Sequence, residues 1–305
     1  MELVVVGSSN MDLVISLPRI PAIGETVLGG KSYMVFGGKG ANQAVASIRA
    51  GCDTLFITKV GNDLFGENMK SHFEIEGFRT DLILTDEKEP TGIAQIFVSE
   101  KGENSIAVAP GANMKLMPED IEPFADLIKN SKVVLLQLET PIETVAYIAD
   151  MAHKHDVKLI LNPAPAQKLS EDLLKKVWLI SPNESEASLL TGIDVKDAAS
   201  AEKAAQRLLE MGVDNIIITM GENGSLLFGT NGFELFEAFK EKAVDTTAAG
   251  DVFNGTLAVA VTNEKSLQEA IRFASAAAAI SVTREGAQPS IPTLDEIDNF
   301  LKKVK

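Results

Sequence analysis

Cysteine is almost absent. Cys52 is the only one, so no intrachain disulfide can form, and the chain suits a reducing compartment. Histidine is scarce too: His72, His153 and His155. His153 and His155 stand two apart on a predicted helix and point to different faces with no cysteine beside them, which opposes a zinc site. No run of about 20 apolar residues occurs, so no membrane-spanning helix is predicted. The first residues, Met-Glu-Leu-Val-Val-Val-Gly, carry no basic region and only a strand's length of apolar side chains. No secretory signal is expected there, and a cytoplasmic location is. Positive charge is in deficit, 28 Lys and Arg against 43 Asp and Glu, for a net charge of −15. That opposes nucleic acid and anionic membranes as partners. An anionic nucleotide remains possible if Mg²⁺, backbone N–H groups or a local Lys or Arg offset the field. Two phosphate-binding loops are also missing. Lys39 is followed by Gly, outside Walker A spacing, and no Gly-x-Gly-x-x-Gly occurs, which removes a nicotinamide dehydrogenase.

What remains is a chain of 305 residues, 45% apolar, with no internal repeat or low-complexity linker. This suits one large α/β unit with an appendage. Apolar runs predict strands at 2–7, 12–17, 26–36, 54–60, 91–99, 104–109, 132–138, 157–161, 177–181 and 215–219. An antiparallel edge pair is expected at 225–228 and 233–236. Lys101-Gly102-Glu103 marks a hairpin turn between two strands. Helices are predicted over 40–51, 64–77, 142–155, 183 onward, 201–211, 252–262, 266–283 and 293–302. Alternation from residue 118 implies a mostly parallel sheet with helices on both faces. The strands within 12–36 and 91–109 break that order, so they are expected to form a small separate sheet, a candidate lid. Such a sheet is poorly stable alone and would want a ligand or a second subunit.

The stretch Asp245-Thr-Thr-Ala-Ala-Gly-Asp-Val-Phe-Asn-Gly-Thr256 precedes and enters a buried helix. Ala248–Asp251 therefore offer free N–H groups at the positive end of a helix dipole, with little bulk to keep an anion away. Asp251 admits two readings: an ordinary N-cap, or a carboxylate that handles the proton of a nucleophile attacking a phosphate. The Gly-rich Phe36–Asn42 segment is either a tight turn or a place where backbone nears a ligand, with Lys39 and Asn42 as donors. Asn10-Met-Asp12 follows the first strand, and Glu139 ends another. Both lie where open parallel sheets bind ligands, and both suit sugar hydroxyls, turn and solvent roles being the alternatives. Asn183 and Glu186 read as a capping box or as a holder for a metal's water shell. Thr219–Gly224 and Arg284–Ser290 are ordered Gly-containing loops.

Together these residues resemble the ribokinase branch of the PfkB-type family of carbohydrate kinases, end to end. Gly37-Gly-Lys-Gly-Ala-Asn-Gln-Ala is similar to the family's N-terminal signature and Asp245–Ala258 to its C-terminal one. The resemblance implies a ribokinase-like three-layer α/β/α fold with a small β-sheet lid. It implies ATP-dependent phosphorylation of D-ribose at O5; a relative acting on deoxyribose, or a non-catalytic sugar-binding regulator, are the alternatives. Asn10, Met11, Asp12, Gly38, Lys39, Gly40, Ala41, Asn42 and Glu139 would then hold the sugar. Asp251 would be the base, with the backbone of Ala249, Gly250 and Asp251 as anion hole. Asn183, Thr219, Met220, Gly221, Glu222, Asn223, Gly224 and Ser275 would meet the nucleotide, and Glu186 would assist Mg²⁺. Asp245, Thr247, Ser281, Arg284, Gly286 and Ser290 would hold K⁺. A homodimer through the lid strands is expected by the same resemblance. Two departures stand out: Thr256 where relatives usually carry Ala or Gly, and Ser275 where many carry a larger polar residue.

Overall fold

Residues 2–101, 103–229 and 232–304 are described by the computed structural model. The first part of the chain forms β1 (Leu3–Val6), β2 (Asn10–Leu17), β3 (Ser32–Gly37), α1 (Lys39–Arg49), β4 (Thr54–Gly61), α2 (Leu64–Ile75), β5 (Ile83–Asp86), β6 (Gly92–Ser99) and β7 (Asn104–Ala109). Then come α3 (Pro118–Ile121), α4 (Ala125–Lys129), β8 (Val133–Leu136), α5 (Ile142–Lys154), β9 (Lys158–Leu161), α6 (Glu171–Leu174), β10 (Leu179–Ile180), α7 (Glu184–Thr191) and α8 (Ala198–Glu210). The remainder is β11 (Asn215–Thr219), β12 (Ser225–Gly229), β13 (Gly232–Phe236), α9 (Ala249–Thr262), α10 (Leu267–Ser281) and α11 (Leu294–Lys303).

The main sheet has the order β13-β12-β11-β10-β9-β8-β1-β4-β5. From β11 to β5 its strands run parallel, and β12 and β13 close one edge as an antiparallel pair. Its central strands are near-continuous apolar runs because both faces are covered. Leu3 and Val5 of β1 pack into a core with α1, α9 and α10, while Val4 and Val6 pack into a second core with α5 and α8. This is the expected three-layer arrangement. Strand order reverses between β8 and β1, so a crevice opens there at the carboxyl ends of the strands.

The small sheet has the order β3-β2-β6-β7, with β2 and β6 parallel and both edge pairs antiparallel. Three expectations need correction. Residues 26–31 do not belong to a strand, because Gly29 and Gly30 both take positive φ, at 116° and 94°. A Cβ at Gly30 would lie 1.4 Å from the Ser16 carbonyl oxygen, so the chain must turn there before β3 can pair. The edge strand β5 was not expected; its four residues are too few to show a period. Helix α9 begins at Ala249 rather than at 252, which puts Asp251 inside its first turn. Gly102, at the centre of the expected hairpin turn, lies outside the described residues.

Small residues decide how α1 sits on α9. A Cβ at Gly255 would be 2.4 Å from the Gln43 carbonyl oxygen and 2.8 Å from the Ala46 side chain. The single Ser47 Oγ–H is shared between the Gln43 carbonyl (2.8 Å) and the Gly255 carbonyl (3.1 Å), linking the two helices.

Candidate functional site

The crevice between β1 and β8 is lined first by Ser8 and Glu139. Ser8 Oγ donates to Glu139 Oε2 at 2.5 Å, and the Lys39 N–H donates to the same oxygen at 3.0 Å. Gly40 N–H donates to Ser8 Oγ at 3.3 Å and Ala41 N–H to the Ser8 carbonyl at 2.8 Å. The first turn of α1 thus spends these N–H groups inside the protein. Its glycines serve close packing instead: a Cβ at Gly40 would be 2.5 Å from the Gly7 backbone, and one at Gly37 would be 2.2 Å from the Asp12 carboxylate. Gly38 takes φ 90°, as the N-cap of α1.

Asn10 and Asp12 stand on β2, which leaves the end of β1. Asn113 Nδ2 donates to Asn10 Oδ1 at 2.8 Å, and Ser9 N–H donates to Asn113 Oδ1 at 2.8 Å. The amide N–H groups of Asn10 make no hydrogen bond among the described residues. Met11 points the other way, into the core shared by α1 and α9. Burial, with Glu139 and Asp251 nearby, pushes the Asp12 carboxyl up to about 7. Burial alone would lower Lys39, but Asp251, Glu139, Glu186 and Asp12 outweigh it and hold its pKa above the usual value.

Asp251 is buried and is the third residue of α9. Of the two readings of Asp251, the N-cap is not the one taken: the cap is Ala248, in the left-handed region at φ 61° with no side-chain bond. Asn42 Nδ2 donates to Asp251 Oδ2 at 2.9 Å, and Gln43 Nε2 to Oδ1 at 3.0 Å. Burial raises the Asp251 pKa, and Lys39, Asn42 and Gln43 act against that rise. Of the anion-hole candidates, the Ala249 N–H donates to the Thr246 carbonyl at 3.2 Å. The N–H groups of Gly250 and Asp251 have no partner among the described residues. A Cβ at Gly250 would meet nothing within 4 Å, so packing does not require a glycine there.

On the far side of β9, the ends of β10 and β11 come together. Asn183 and Thr219 form an isolated parallel bridge. Asn183 caps α7 in a full capping box: Glu186 N–H donates to Asn183 Oδ1 at 2.9 Å, and Asn183 N–H donates to Glu186 Oε2 at 2.9 Å. Burial raises the Glu186 carboxyl against the Asn183 bond and Lys39. Gly221 and Gly224 both take positive φ in the turn after β11. Met220, Glu222 and Asn223 line a cleft of about 470 Å³ with Glu184, Lys196 and Lys240. Ser275 stands in the middle of α10, half-buried, with no side-chain hydrogen bond among the described residues. Thr256 turns its hydroxyl onto the Val252 carbonyl at 2.6 Å, so its extra bulk is absorbed within α9.

The segments at 244–247 and 281–290 are tied together. Val244 and Asp245 donate to the Val282 carbonyl at 2.7 and 3.2 Å. Gly286 N–H donates to Asp245 Oδ2 at 2.8 Å, and Thr247 N–H and Oγ1 donate to Oδ1 at 2.9 and 2.6 Å. Burial would raise Asp245, but these bonds outweigh it and keep the carboxyl below its usual range. Ser281 and Ser290 point their hydroxyls at nearby carbonyls, and Arg284 pairs with Glu296. From these three residues the main-chain carbonyls are what a cation could use.

Sequence reasoning did not single out Gln43, Asn113, Asn162, Ser181 or Asn254, which all carry site hydrogen bonds. A signal existed for Asn162 and Ser181: each directly follows an apolar strand, at the sheet edge where ligands bind.

The family model for "pfkB family carbohydrate kinase" matches residues 1–294. A ribokinase of Haemophilus influenzae is 46% identical over 300 residues, covering 98% of this chain and 98% of its own. A deoxyribokinase of Salmonella typhi is 37% identical over 305 residues, covering 99% of each chain. The solved structure of Arabidopsis thaliana ribokinase complexed with ribose and ATP superposes with a TM-score of 0.93 at 34% identity, covering 99% of this chain and 98% of that one.

Asp12 couples pH to stability. Its folded pKa of about 7 lies above the ordinary aspartate value of 3.8, so the unfolded chain releases this proton first. Stability is lost as pH rises from the unfolded pKa through the folded one. Asp12→Asn does not carry that cost. Its Tm relative to the parent is expected to be nearly level at pH 4, to climb toward pH 7 and to flatten above it. A Tm difference that stays constant across that series contradicts the assignment.

Proposed function

The chain belongs to the pfkB family of carbohydrate kinases, and we propose that it phosphorylates D-ribose at O5 with ATP, giving D-ribose 5-phosphate and ADP. One observation carries the reading: a buried carboxylate, Asp251, sits in the first turn of a helix with no side-chain cap, beside two N–H groups that have no partner among the described residues. A proton acceptor and an anion hole then share a single turn of chain. The higher identity to a ribokinase than to a deoxyribokinase supports ribose as acceptor.

The sugar lies between Asn10, Asp12, Glu139, Lys39 and Asn42. Asn42 Oδ1 is buried and unpartnered, which suits a hydroxyl donor. The small sheet of β2, β3, β6 and β7 acts as a lid, and Asp12 on β2 carries lid movement to the sugar. The nucleotide lies along Asn183, Thr219–Gly224 and Ser275. Glu186 suits Mg²⁺, since its buried carboxylate is oriented by Asn183 and a cation would favour its ionised form. Glu186 would hold Mg²⁺ there, and the ion when bound would supply charge neutralisation for the nucleotide phosphates.

Asp251 cannot deprotonate the hydroxyl outright. An ordinary Asp has a pKa of ~3.9 and an alcohol is about as weak an acid as water, ~15.7. The gap of about 12 units corresponds to ~16 kcal/mol at about 1.36 per unit. Burial narrows the gap without closing it. In a loose phosphoryl-transfer transition state the hydroxyl becomes acidic only as the new bond forms, so Asp251 orients it and accepts the proton late. The Gly250 and Asp251 N–H groups stabilise charge on the transferred group.

The tie between Asp245–Thr247 and the 281–290 loop supports K⁺ as an activator that steadies the start of α9. Tyr33 and Met34 on β3, with Ile106 and Val108 on β7, are exposed apolar side chains on the two edge strands of the small sheet. They support a homodimer through the lid. A cytoplasmic location suits the free, buried thiol of Cys52.

A coupled ADP assay over a panel of pentoses is expected to favour ribose over deoxyribose. In that assay Asp251→Asn is expected to lower kcat by ~10²–10⁴ with ATP affinity nearly unchanged; near-full turnover would remove the base assignment. Rates in Na⁺ alone are expected to fall well below those in K⁺, and equal rates would remove the cation site. Small-angle scattering is expected to give a dimer at micromolar concentration, against which a monomer would count.

A further inference from the structure

Beneath Asp251 lies a set of buried amides and one hydroxyl that the proposed reaction does not use directly. Gln43 Nε2 spends both hydrogens: one on Asp251 Oδ1 at 3.0 Å, the other on Asn162 Oδ1 at 3.0 Å. Its Oε1 accepts from Gln137 Nε2 at 2.6 Å, which fixes the amide's orientation. Asn162 Nδ2 donates to the Ser181 carbonyl at 3.3 Å. Ser181 Oγ donates to Asn254 Oδ1, and Asn254 Nδ2 donates to the Gly250 carbonyl at 2.8 Å. The path leaves the carboxylate, crosses the ends of β9 and β10, and returns to the carbonyl of the peptide that joins Gly250 to Asp251. All five residues are buried.

We propose that Gln43 is a positioning residue for the base: with Asn162, Ser181 and Asn254 it locks the Asp251 carboxylate to the Gly250–Asp251 peptide, the unit that presents the Asp251 N–H. Stability does not explain such a ring, because apolar side chains of the same shape can replace paired buried polar groups at little cost. Orientation does. A base and an anion hole must hold a common geometry within fractions of an ångström, and here both are fixed to one rigid loop of hydrogen bonds. Asn42 alone would not serve, since it faces the sugar and would move with it. Gln43 is fully buried, and its amide is spent on Asp251, Asn162 and Gln137.

Gln43 donates to the ionised carboxylate and so favours it. The other groups that face Asp251 are Lys39 and Asn42 on α1, Glu139 after β8, Asp12 on β2 and Glu186 on α7. Gln43→Met removes the donor and leaves these in place.

The inference rests on Asp251 being the base, so Asp251→Asn is run beside it. The readout is the single-turnover phosphorylation rate against pH, with ATP and ribose saturating, which separates Asp251 from the effect of Asp12 on sugar capture. Gln43→Met is expected to lower the plateau rate about tenfold and to move the acid limb up by about one pH unit, the worth of a hydrogen bond to a charged group. Dissociation constants for ribose and ATP are expected to stay within about threefold, as for a group that acts only through the base. Gln43→Glu keeps the shape, adds a competing carboxylate and is expected to move the limb further. If Gln43→Met does not fold, Gln43→Glu and Gln137→Leu, which frees the Gln43 amide, read the same limb. An unmoved limb in the folded variants, with Asp251→Asn inactive, overturns the positioning role alone. A lowered Tm with an unmoved limb does the same. Near-full activity of Asp251→Asn overturns the base reading instead.

Discussion

The close crossing of α1 over α9 is the constraint on which the site depends. Lys39, Asn42, Gln43 and Ala46 recur at i, i+3, i+4 and i+7 along α1, so they share one face. Ala46 and the Gln43 carbonyl fill the space that a side chain at position 255 would need. One turn away, the same face delivers two amides to the Asp251 carboxylate, with Lys39 beyond them. Small residues at one end of the crossing thus set the distance at which polar residues at the other end meet the base. Packing and chemistry here are successive turns of one contact.

The same logic reassigns the glycines. A Gly-rich turn before a helix invites reading as a place where backbone meets a ligand. At α1 the backbone meets backbone: Gly40 lies against Gly7, and Gly37 makes room for the Asp12 carboxylate. Glu139 and Ser8 take the helix's first N–H groups. At α9 the opposite holds. Ala248 in the left-handed region leaves no side-chain cap, and the Gly250 and Asp251 N–H groups have no partner among the described residues. Two helix starts that look alike in composition differ in whether the protein has already satisfied them.

This difference marks how far the sequence could be read. The α/β alternation, the separate small sheet and the clustering of loops at one sheet edge were legible, because each rests on local period and turn chemistry. The start of α9 was placed three residues late, since Ala, Gly and Asp carry no apolar signal. Gln43 and Asn254 were silent for another reason. A lone polar residue beside or within an apolar run has no period, and its meaning comes from partners 208 residues away in the first case and 73 in the second. Asn113 likewise acts on Asn10 across 103 residues. Long-range satisfaction of buried amides leaves no local trace.

Charge completes the account. Asp12, Glu139, Glu186 and Asp251 converge on a single cation, Lys39. Taking several carboxylates out of water around one ammonium is unfavourable, and raised pKa values at Asp12, Glu186 and Asp251 record that cost. The groups that lessen it differ in kind. At Asp251 they are two neutral amides plus Lys39; at Asp12 Lys39 is the only group acting to lower the pKa. Neutral donors stabilise the ionised form without adding a charge that an incoming phosphate would feel, whereas a second lysine at the base would bind the phosphate and the carboxylate alike. Amide donors therefore let Asp251 remain a carboxylate beside an anion hole, which requires those amides to be buried, paired and fixed. The packing of α1 on α9 supplies that condition.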